Sequence, residues 1–244
     1  MNARIKAFTI HLVISILIAL AVISLVFYIW YPTPLHSAVG VTQIFLILLT
    51  VDVILGPLLT LLVYKAGKKP LVIDLIIIIL LQISALCYGL WTVAEGRPAW
   101  LVFAVDRFDL VRVLDIDERK LDQADLAYRQ PSLLGPQWVA AVNSMNSDER
   151  NDILMESVLA GVDIPQRPNL YQPLDSQKKS IKKRLLELSD LPANNTAEDI
   201  KAVLAKHPKA DSWLPLRANH QDMVVLIHKD TAEVIAIVDL RPWE

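Results

Sequence analysis

The sequence predicts a membrane protein, in which a three-helix transmembrane bundle precedes a small extracytoplasmic α+β domain with antiparallel β-hairpins and helices. Hydrophobic residues make up 54% of the 244 residues and are concentrated in residues 1–96. That segment carries a net charge of +2. Residues 97–244 carry −4, which gives the whole chain its net charge of −2. This asymmetry divides the chain into a membrane segment at 1–96 and a soluble domain at 97–244.

Three apolar runs are each long enough to cross a membrane. A helix needs about 20 apolar residues, at roughly 1.5 Å of rise each, to span the hydrocarbon core. The runs lie at about 7–30, 39–64 and 71–93. The first run ends in several aromatic residues, as is typical of a membrane interface. Because it is longer than the apolar part of a signal peptide, we interpret it as a retained anchor.

The basic residues of the short connections predict the topology. They precede the first run or separate the second from the third, and they are Arg4, Lys6, Lys65, Lys68 and Lys69. The positive-inside rule places both segments in the cytoplasm, so three crossings deliver the C-terminal domain outside. The link at 31–38 fits a short outer loop. The single cysteine, Cys87, lies in the third run, so the exported domain is held without disulfides.

Short runs rich in Val, Ile, Phe and Leu predict a β-hairpin at each end of the exported domain. The predicted strands lie at 100–105 and 108–114 in the first hairpin and at 223–228 and 233–240 in the second. Asp106 and Arg107 suit the tight turn of the first hairpin. We expect the connecting helices to cover one side of an antiparallel sheet.

Three helices are predicted between these hairpins. The first follows Ser147 and ends near Gly161, with an apolar face formed by Ile153, Leu154, Val158 and Leu159. The second starts at Asp175 or Ser176 and continues to Leu191, and the third runs from Ala197 to His207 after a Thr196 cap. Residues 118–146 are punctuated by proline and glycine and predict a loop-rich connection.

The sequence contains no recognisable catalytic, cofactor or metal signature. Its seven glycines form neither a dinucleotide-binding motif nor a P-loop. His207, His220 and His228 lack the spacing of a metal site. The mild negative charge of the soluble domain argues against nucleic acid as a partner. We therefore predict no enzyme activity, no cofactor and no metal.

Polar residues inside the membrane are the best candidates for function. An ionised carboxylate such as Asp52 costs about 2.5 to 3.5 kcal/mol at the centre of a membrane helix. Two interpretations remain open. Asp52 is protonated or hydrogen-bonded inside the three-helix bundle, to Thr50, Gln43 or Gln82, or it meets a polar or charged group on another membrane helix. Gly56 and Pro57 favour a kinked, smooth surface on which a second helix can dock.

Several segments together resemble the TfpX/TfpZ family of type IV pilin accessory proteins. They are YPTPL (31–35), GPLLTLLVYKAGKK (56–69), DL (74–75), QISALCYG (82–89), RPAWLVFAVDRFDLV (97–111) and VDLRPW (238–243). The resemblance implies an inner-membrane protein of Gram-negative bacteria that binds the pilin subunit, without known catalysis, and supports its stability or assembly into pili. With the topology predicted from the basic residues, this gives a multi-pass protein with a cytoplasmic N-terminus and a periplasmic C-terminal domain. Membrane lipid and further pilus assembly components are the other expected partners.

Residues and resemblance together give a hypothesis for pilin binding. The membrane residues Asp52, Gly56, Pro57 and Gln82 are expected to cradle the apolar pilin helix. In the first hairpin, the expected contacts with the pilin head are Asp106, Arg107 and Phe108. The alternative function is a membrane-anchored periplasmic ligand sensor. It is less favoured because the cytoplasmic segments at 1–6 and 65–70 leave almost no output module.

Overall fold

The computed structural model describes residues 3–65, 67, 69–144 and 146–243, and the chain divides into two compact units. The first unit contains the residues up to Pro32 and Val41–Gly96. The second unit combines Thr33–Gly40 with the chain from Arg97 onward. The helices are α1 (Ala3–Ser24), α2 (Leu35–Val39), α3 (Val41–Val63), α4 (Leu71–Glu95), α5 (Ser147–Ala160), α6 (Lys178–Lys182) and α7 (Ala197–Lys206).

Three helices of the first unit are long and apolar enough to cross a membrane. α1 continues as a π-helical turn at Leu25–Trp30, which gives a helix of 28 residues, while α3 has 23 and α4 has 25. α1 and α4 both pack along α3, and among the described residues they barely contact each other. At one end of the unit the Tyr31 hydroxyl donates to the Val93 carbonyl at 2.7 Å. The large apolar side chains that point away from these contacts are exposed, as expected for helices that face lipid.

The short helix α2 belongs to the core of the second unit, although the sequence placed it in an outer loop. Leu35 is 2% exposed and Ala38 is 0% exposed. The Ala38 carbonyl accepts from the backbone amides of His220 (3.0 Å) and Gln221 (3.1 Å). Since α2 folds together with the chain after α4, both must lie on the same side of any membrane that the three long helices cross.

The second unit is built on one eight-stranded sheet. Its strands are β1 (Pro98–Ala104), β2 (Arg107–Arg112), β3 (Gln137–Ala141), β4 (Tyr171–Pro173), β5 (Leu186–Glu187), β6 (Ser212–Arg217), β7 (Met223–His228) and β8 (Glu233–Val238). The order is β4-β3-β1-β2-β6-β7-β8, and β5 pairs with β6. Both predicted hairpins form, β1 with β2 and β7 with β8.

The expectation of an antiparallel sheet is wrong, because β1 pairs with β3 and β2 pairs with β6 in parallel. Parallel neighbours need a long connection between them. Here the connections from β1 to β3 and from β2 to β6 run through segments that were predicted to be loops and helices. The turn of the first hairpin is also one residue earlier than expected. It lies at Val105 and Asp106, and Val105 adopts a φ of 60°.

Apolar clusters cover both faces of the sheet, so helices do not lie on one side only. One face packs on Leu35 and Ala38 of α2 and on Ile181 of α6. The other face packs partly on α7, through its residues Ile200 and Val203. The strands β1 and β7 are buried almost throughout, which explains why they lack the polar alternation of a half-exposed strand.

Two predicted helices differ from the structure in their extent or packing. α5 is capped by Asn146 at its start and by Gly161 after its last residue, but only Ile153 of its predicted apolar face is buried. Leu154, Val158 and Leu159 are exposed. The helix predicted to continue to Leu191 is interrupted after α6 by the strand β5. That strand forms because it pairs with the first two residues of β6, Ser212 and Trp213.

Candidate functional site

The first unit contains a groove between α1 and α4, with α3 as its floor. It encloses a cavity of about 480 Å³. The walls and floor are formed by Ala7, Ile10, His11, Ile14, Ser15 and Ile18 of α1, Asp52 and Thr60 of α3, and Leu75, Ile79, Gln82, Ile83 and Leu86 of α4. The groove exists because α1 and α4 share α3 as a packing partner but scarcely meet each other. We call it the α1/α4 groove.

Of the internal partners that the sequence offered for Asp52, Gln82 lies beside it on this groove, whereas the Thr50 hydroxyl donates to the Leu46 carbonyl. Asp52 is 8% exposed. The Gln82 amide donates to the Asp52 carbonyl at 2.9 Å and lies 3.4 Å from the carboxylate oxygen Oδ1. The backbone carbonyl therefore receives the good hydrogen bond, and the carboxylate receives only a long one.

Gly56 and Pro57 are buried in the bundle and are not among the residues that line the groove. A Cβ on Gly56 would lie 1.9 Å from Nε2 of Gln82. The missing side chain of Gly56 thus allows the Gln82 carboxamide to pack against the α3 backbone. At this position the small residue serves a contact within the bundle, and Gln82 covers the surface that was expected to receive another helix.

A second polar pair, which the sequence analysis did not single out, lies in the same groove. His11 Nδ1 and Thr60 Oγ1 are 2.6 Å apart. The sequence contains the feature that identifies His11, because an ionisable residue inside an apolar helix is a candidate for function in any membrane span. His11 lies within α1 as Asp52 lies within α3, so the same reasoning identifies both residues. Polar groups of α1, α3 and α4 therefore meet in one groove.

The basic residues that predict the topology lie at the ends of the long helices. The Arg4 side chain, near the start of α1, donates to the carbonyl of Leu61 near the end of α3. Lys6, Lys65 and Lys69 are exposed, whereas Lys68 lies outside the described residues. The start of α1 and the end of α3 are thus at the same end of the first unit, as three successive crossings require.

The three candidate residues of the first hairpin differ in how exposed they are. Asp106 is exposed at the turn, and Arg107 is partly buried, with its guanidinium 3.6 Å from the carboxylates of Asp106 and Asp109. Phe108 is 0% exposed and stacks edge-on against Trp138. The expectation that Phe108 contacts a partner is therefore wrong, since its ring belongs to the core of the folded domain.

The second unit contains a charged cleft of about 410 Å³ that includes Asp109, Asp163 and Arg217. Arg217 lies 2.5 Å from Asp109 and 3.9 Å from Asp163. Burial raises the pKa of Asp109, and the neighbouring Arg217 and Arg107 oppose that shift. Arg217 thus pairs with two carboxylates of the cleft, and a third, Asp115, pairs with Arg112 at 2.8 Å. Among the described residues, no group of three or more His, Cys, Asp or Glu side chains is placed to hold a metal ion.

Sequence comparison shows similarity to proteins of fimbrial assembly. Residues 1–40 match the family model described as "Fimbrial assembly protein FimB". The chain is 30% identical over 243 residues to the fimbrial assembly protein of serogroup E1 from Dichelobacter nodosus, covering 96% of this chain and 94% of the relative. The protein of serogroup I from the same organism gives the same identity and coverage.

A shorter relative matches part of the chain. The fimbrial assembly protein of serogroups C1 and C2 from Dichelobacter nodosus is 34% identical over 117 residues, which cover 47% of this chain and 89% of that relative. No solved structure matches the chain. The two longer matches extend over almost the whole of both chains, so they include the groove-forming helices as well as the sheet.

Proposed function

The chain belongs to the family of fimbrial assembly proteins, and from this premise we propose that it binds the type IV pilin subunit in the inner membrane and supports its stability and assembly into pili. The family description is one of assembly and not of catalysis. The segments that resemble TfpX/TfpZ accessory proteins support the more specific assignment. In this proposal the protein acts on the subunit before the subunit enters the pilus, as a chaperone does.

The α1/α4 groove is the observation that carries the proposal. A pilin subunit before assembly is anchored by one apolar helix, so a protein that holds it needs a surface for a helix within the membrane. The groove offers apolar walls, such as Ile14 and Ile83, on two helices that barely touch each other. A helix placed there would gain contacts with both walls, and packing of this kind drives helix association in lipid.

The proposed orientation has the N-terminus in the cytoplasm and the second unit in the periplasm. The positions of Arg4, Lys6, Lys65 and Lys69 support it, together with the folding of α2 into the second unit. The periplasmic unit is then available to the globular head of the subunit. The exposed turn around Asp106 is the part of the first hairpin that can make this contact.

Filling the groove tests the proposal. We would replace Ile14 or Ile83 by Trp and measure co-purification of pilin from membranes in mild detergent, the cellular level of pilin, and surface pili. The matched control is Ile47→Trp, because Ile47 is an exposed residue of α3 that does not line the groove. We expect both groove variants to lose pilin binding and pili, and the control to retain them.

Normal pilin binding by both groove variants, at normal expression, would contradict the membrane site. If deletion of the protein changed neither the level of pilin nor the number of pili, the proposed function itself would be wrong. A signalling protein that co-purifies in place of pilin would favour the ligand-sensor alternative. The same purification therefore separates the two functions.

A further inference from the structure

We propose that the α1/α4 groove selects a transmembrane helix that presents a side-chain hydrogen-bond donor to the carboxylate of Asp52. The proposal rests on the proposed function for the identity of that helix, which would be the apolar helix of the pilin subunit. It adds the chemistry by which the groove recognises its occupant. Donors of this class are an ammonium group, a hydroxyl group, an amide or a protonated carboxyl group.

The hydrogen bonds of Asp52 leave its carboxylate poorly satisfied. Its backbone carbonyl accepts from Gln82 at 2.9 Å. From the residues that the structure describes, its side chain accepts one hydrogen bond, the 3.4 Å contact from the same amide to Oδ1. Among the described residues, the second carboxylate oxygen, Oδ2, accepts no hydrogen bond. The orientation of the Gln82 amide is fixed by the Asp52 carbonyl, which requires the NH₂ group as donor. Only the second N–H of that group is left for the carboxylate, and it makes the long contact to Oδ1.

The apolar lining of the groove makes the missing hydrogen bonds of the Asp52 carboxylate unfavourable. The groove is otherwise lined mainly by Ile, Leu and Ala side chains, and hydrocarbon offers no hydrogen-bonding group in place of water. The other polar residues of the groove do not supply these hydrogen bonds. His11 acts on Asp52 electrostatically and its Nδ1 lies 2.6 Å from Thr60 Oγ1. Among the described residues, neither His11, Thr60 nor Ser15 donates a hydrogen bond to the Asp52 carboxylate. An occupant that brings a donor to Asp52 would therefore be favoured over one that does not.

A helix meets these requirements better than a lipid tail. An acyl chain could fill the apolar part of the groove but has no donor for the carboxylate. A helix satisfies its own backbone hydrogen bonds and can project one polar side chain from an apolar surface. The groove therefore combines a general apolar fit with a polar position, the Asp52 carboxylate, that can discriminate between helices.

The test uses the full-length protein in membranes that contain the pilin subunit. A photo-crosslinking residue at position 14 reports on the groove, and one at position 47 is the control outside it. We expect position 14 to crosslink to the pilin helix and position 47 to crosslink only to lipid. Asp52→Leu should reduce the groove crosslink about threefold to twentyfold, which is the range expected for one interhelical hydrogen bond. Asp52→Asn, which keeps an acceptor oxygen, should retain more of the crosslink than Asp52→Leu.

A second set of variants, made in the pilin helix, identifies the donor. Because this chain is unchanged in them, they also show whether the effect of Asp52→Leu arises only from misfolding. Each polar residue of the apolar pilin helix is replaced by Leu in turn. We expect one replacement to weaken the crosslink as Asp52→Leu does, with little further loss when the two are combined. An unchanged crosslink in Asp52→Leu would overturn the proposal, and so would exclusive crosslinking of position 14 to lipid or to a second copy of this chain. If pilin still depended on the protein in those cases, only this inference would fail and the proposed function would stand.

Discussion

The carboxamide of Gln82 occupies the space that a side chain on Gly56 would need. A Cβ at position 56 would lie 1.9 Å from Nε2 and 2.1 Å from Cδ of Gln82. The same carboxamide donates to the Asp52 carbonyl. The absence of a side chain at Gly56 thus permits the hydrogen bond from Gln82 of α4 to Asp52 of α3.

Gly56→Ala should destabilise the first unit by about 1 to 3 kcal/mol, the usual cost of overpacking a well-packed interface. The added methyl group displaces Gln82, and the hydrogen bond to Asp52 is lost with it. The measurement is thermal unfolding of the purified protein in detergent. In the double variant Gly56→Ala with Gln82→Ala, the clash is absent, so the two substitutions should cost less together than the sum of their separate effects. Strictly additive effects would contradict the contact.

Leu35→Ala should lower the free energy of unfolding of the second unit by about 2 to 5 kcal/mol, because truncation of a buried leucine leaves a cavity. This size of effect is not expected for a residue in a loop between two membrane helices. Denaturant unfolding followed by tryptophan fluorescence measures it. Ser37→Ala, a substitution in the same short helix, should have little effect. A small effect of Leu35→Ala would show that α2 is not part of the core.

Val105→Gly should raise the free energy of unfolding by about 0.5 to 1 kcal/mol. Val105 is exposed and has a φ of 60°, which costs a non-glycine residue roughly 1 to 2 kcal/mol. Glycine removes that strain, although it loses more backbone entropy on folding. Val105→Ala keeps the positive φ with a Cβ, so it should not give the same gain. Equal stability of the glycine and alanine variants would contradict strain at this turn.

Asn195→Ala should release the end of the chain. The Asn195 side chain accepts from the Arg241 amide at 2.7 Å and donates to the carbonyls of Arg241 (2.8 Å) and Pro192 (3.1 Å). Loss of these bonds leaves partly buried backbone groups without partners, at a cost of about 1 to 3 kcal/mol. Faster digestion by carboxypeptidase would reveal the change. Asn143→Ala, at an exposed position, serves as the control and should leave digestion unchanged.

The stability of the second unit should fall in acid through Asp117 and Glu156. A hydrogen bond from Arg119 lowers the pKa of Asp117, and hydrogen bonds from Arg167 and Arg119 lower the pKa of Glu156. Because both pKa values are lower in the folded state, the unfolded chain binds more protons as the pH falls. The stabilisation from these groups is therefore complete above their unfolded pKa values, about 4, and is lost as the pH falls through the folded ones.

Thermal unfolding between pH 7 and pH 3 measures this dependence. The double variant Asp117→Asn with Glu156→Gln should be less stable than the parent protein at pH 7, because buried Arg167 loses its charged partners. Its stability should also change less with pH. If the variant kept the acid slope of the parent protein, the slope would arise from other carboxylates.

Much of the local structure could be predicted because it depends on neighbouring residues. The long helices follow from runs of apolar residues, and α7 follows from the cap at Thr196, whose hydroxyl accepts from the Asp199 amide at 3.1 Å. The β1/β2 and β7/β8 hairpins likewise need only adjacent segments. Such features are encoded within some tens of residues, where composition and periodicity are informative.

Long-range pairing could not be predicted in the same way. β3 lies in a stretch that reads as a loop, and its parallel pairing with β1 joins residues far apart in the chain. Leu186 and Glu187 belong to a helical pattern, yet they form β5 because β6 offers a free edge there. In both cases a tertiary contact overrides the local preference.

The sequence by itself determined that the chain has three membrane-length helices, a separate sheet domain and an acid at position 52 that needs a partner. Only the tertiary structure decided that α2 completes the core of that domain, that Gln82 covers Gly56, and that His11 and Asp52 line one groove. The physical reason is that hydrophobic length and periodicity are properties of a single segment, whereas a groove depends on which helices pack together and which remain apart.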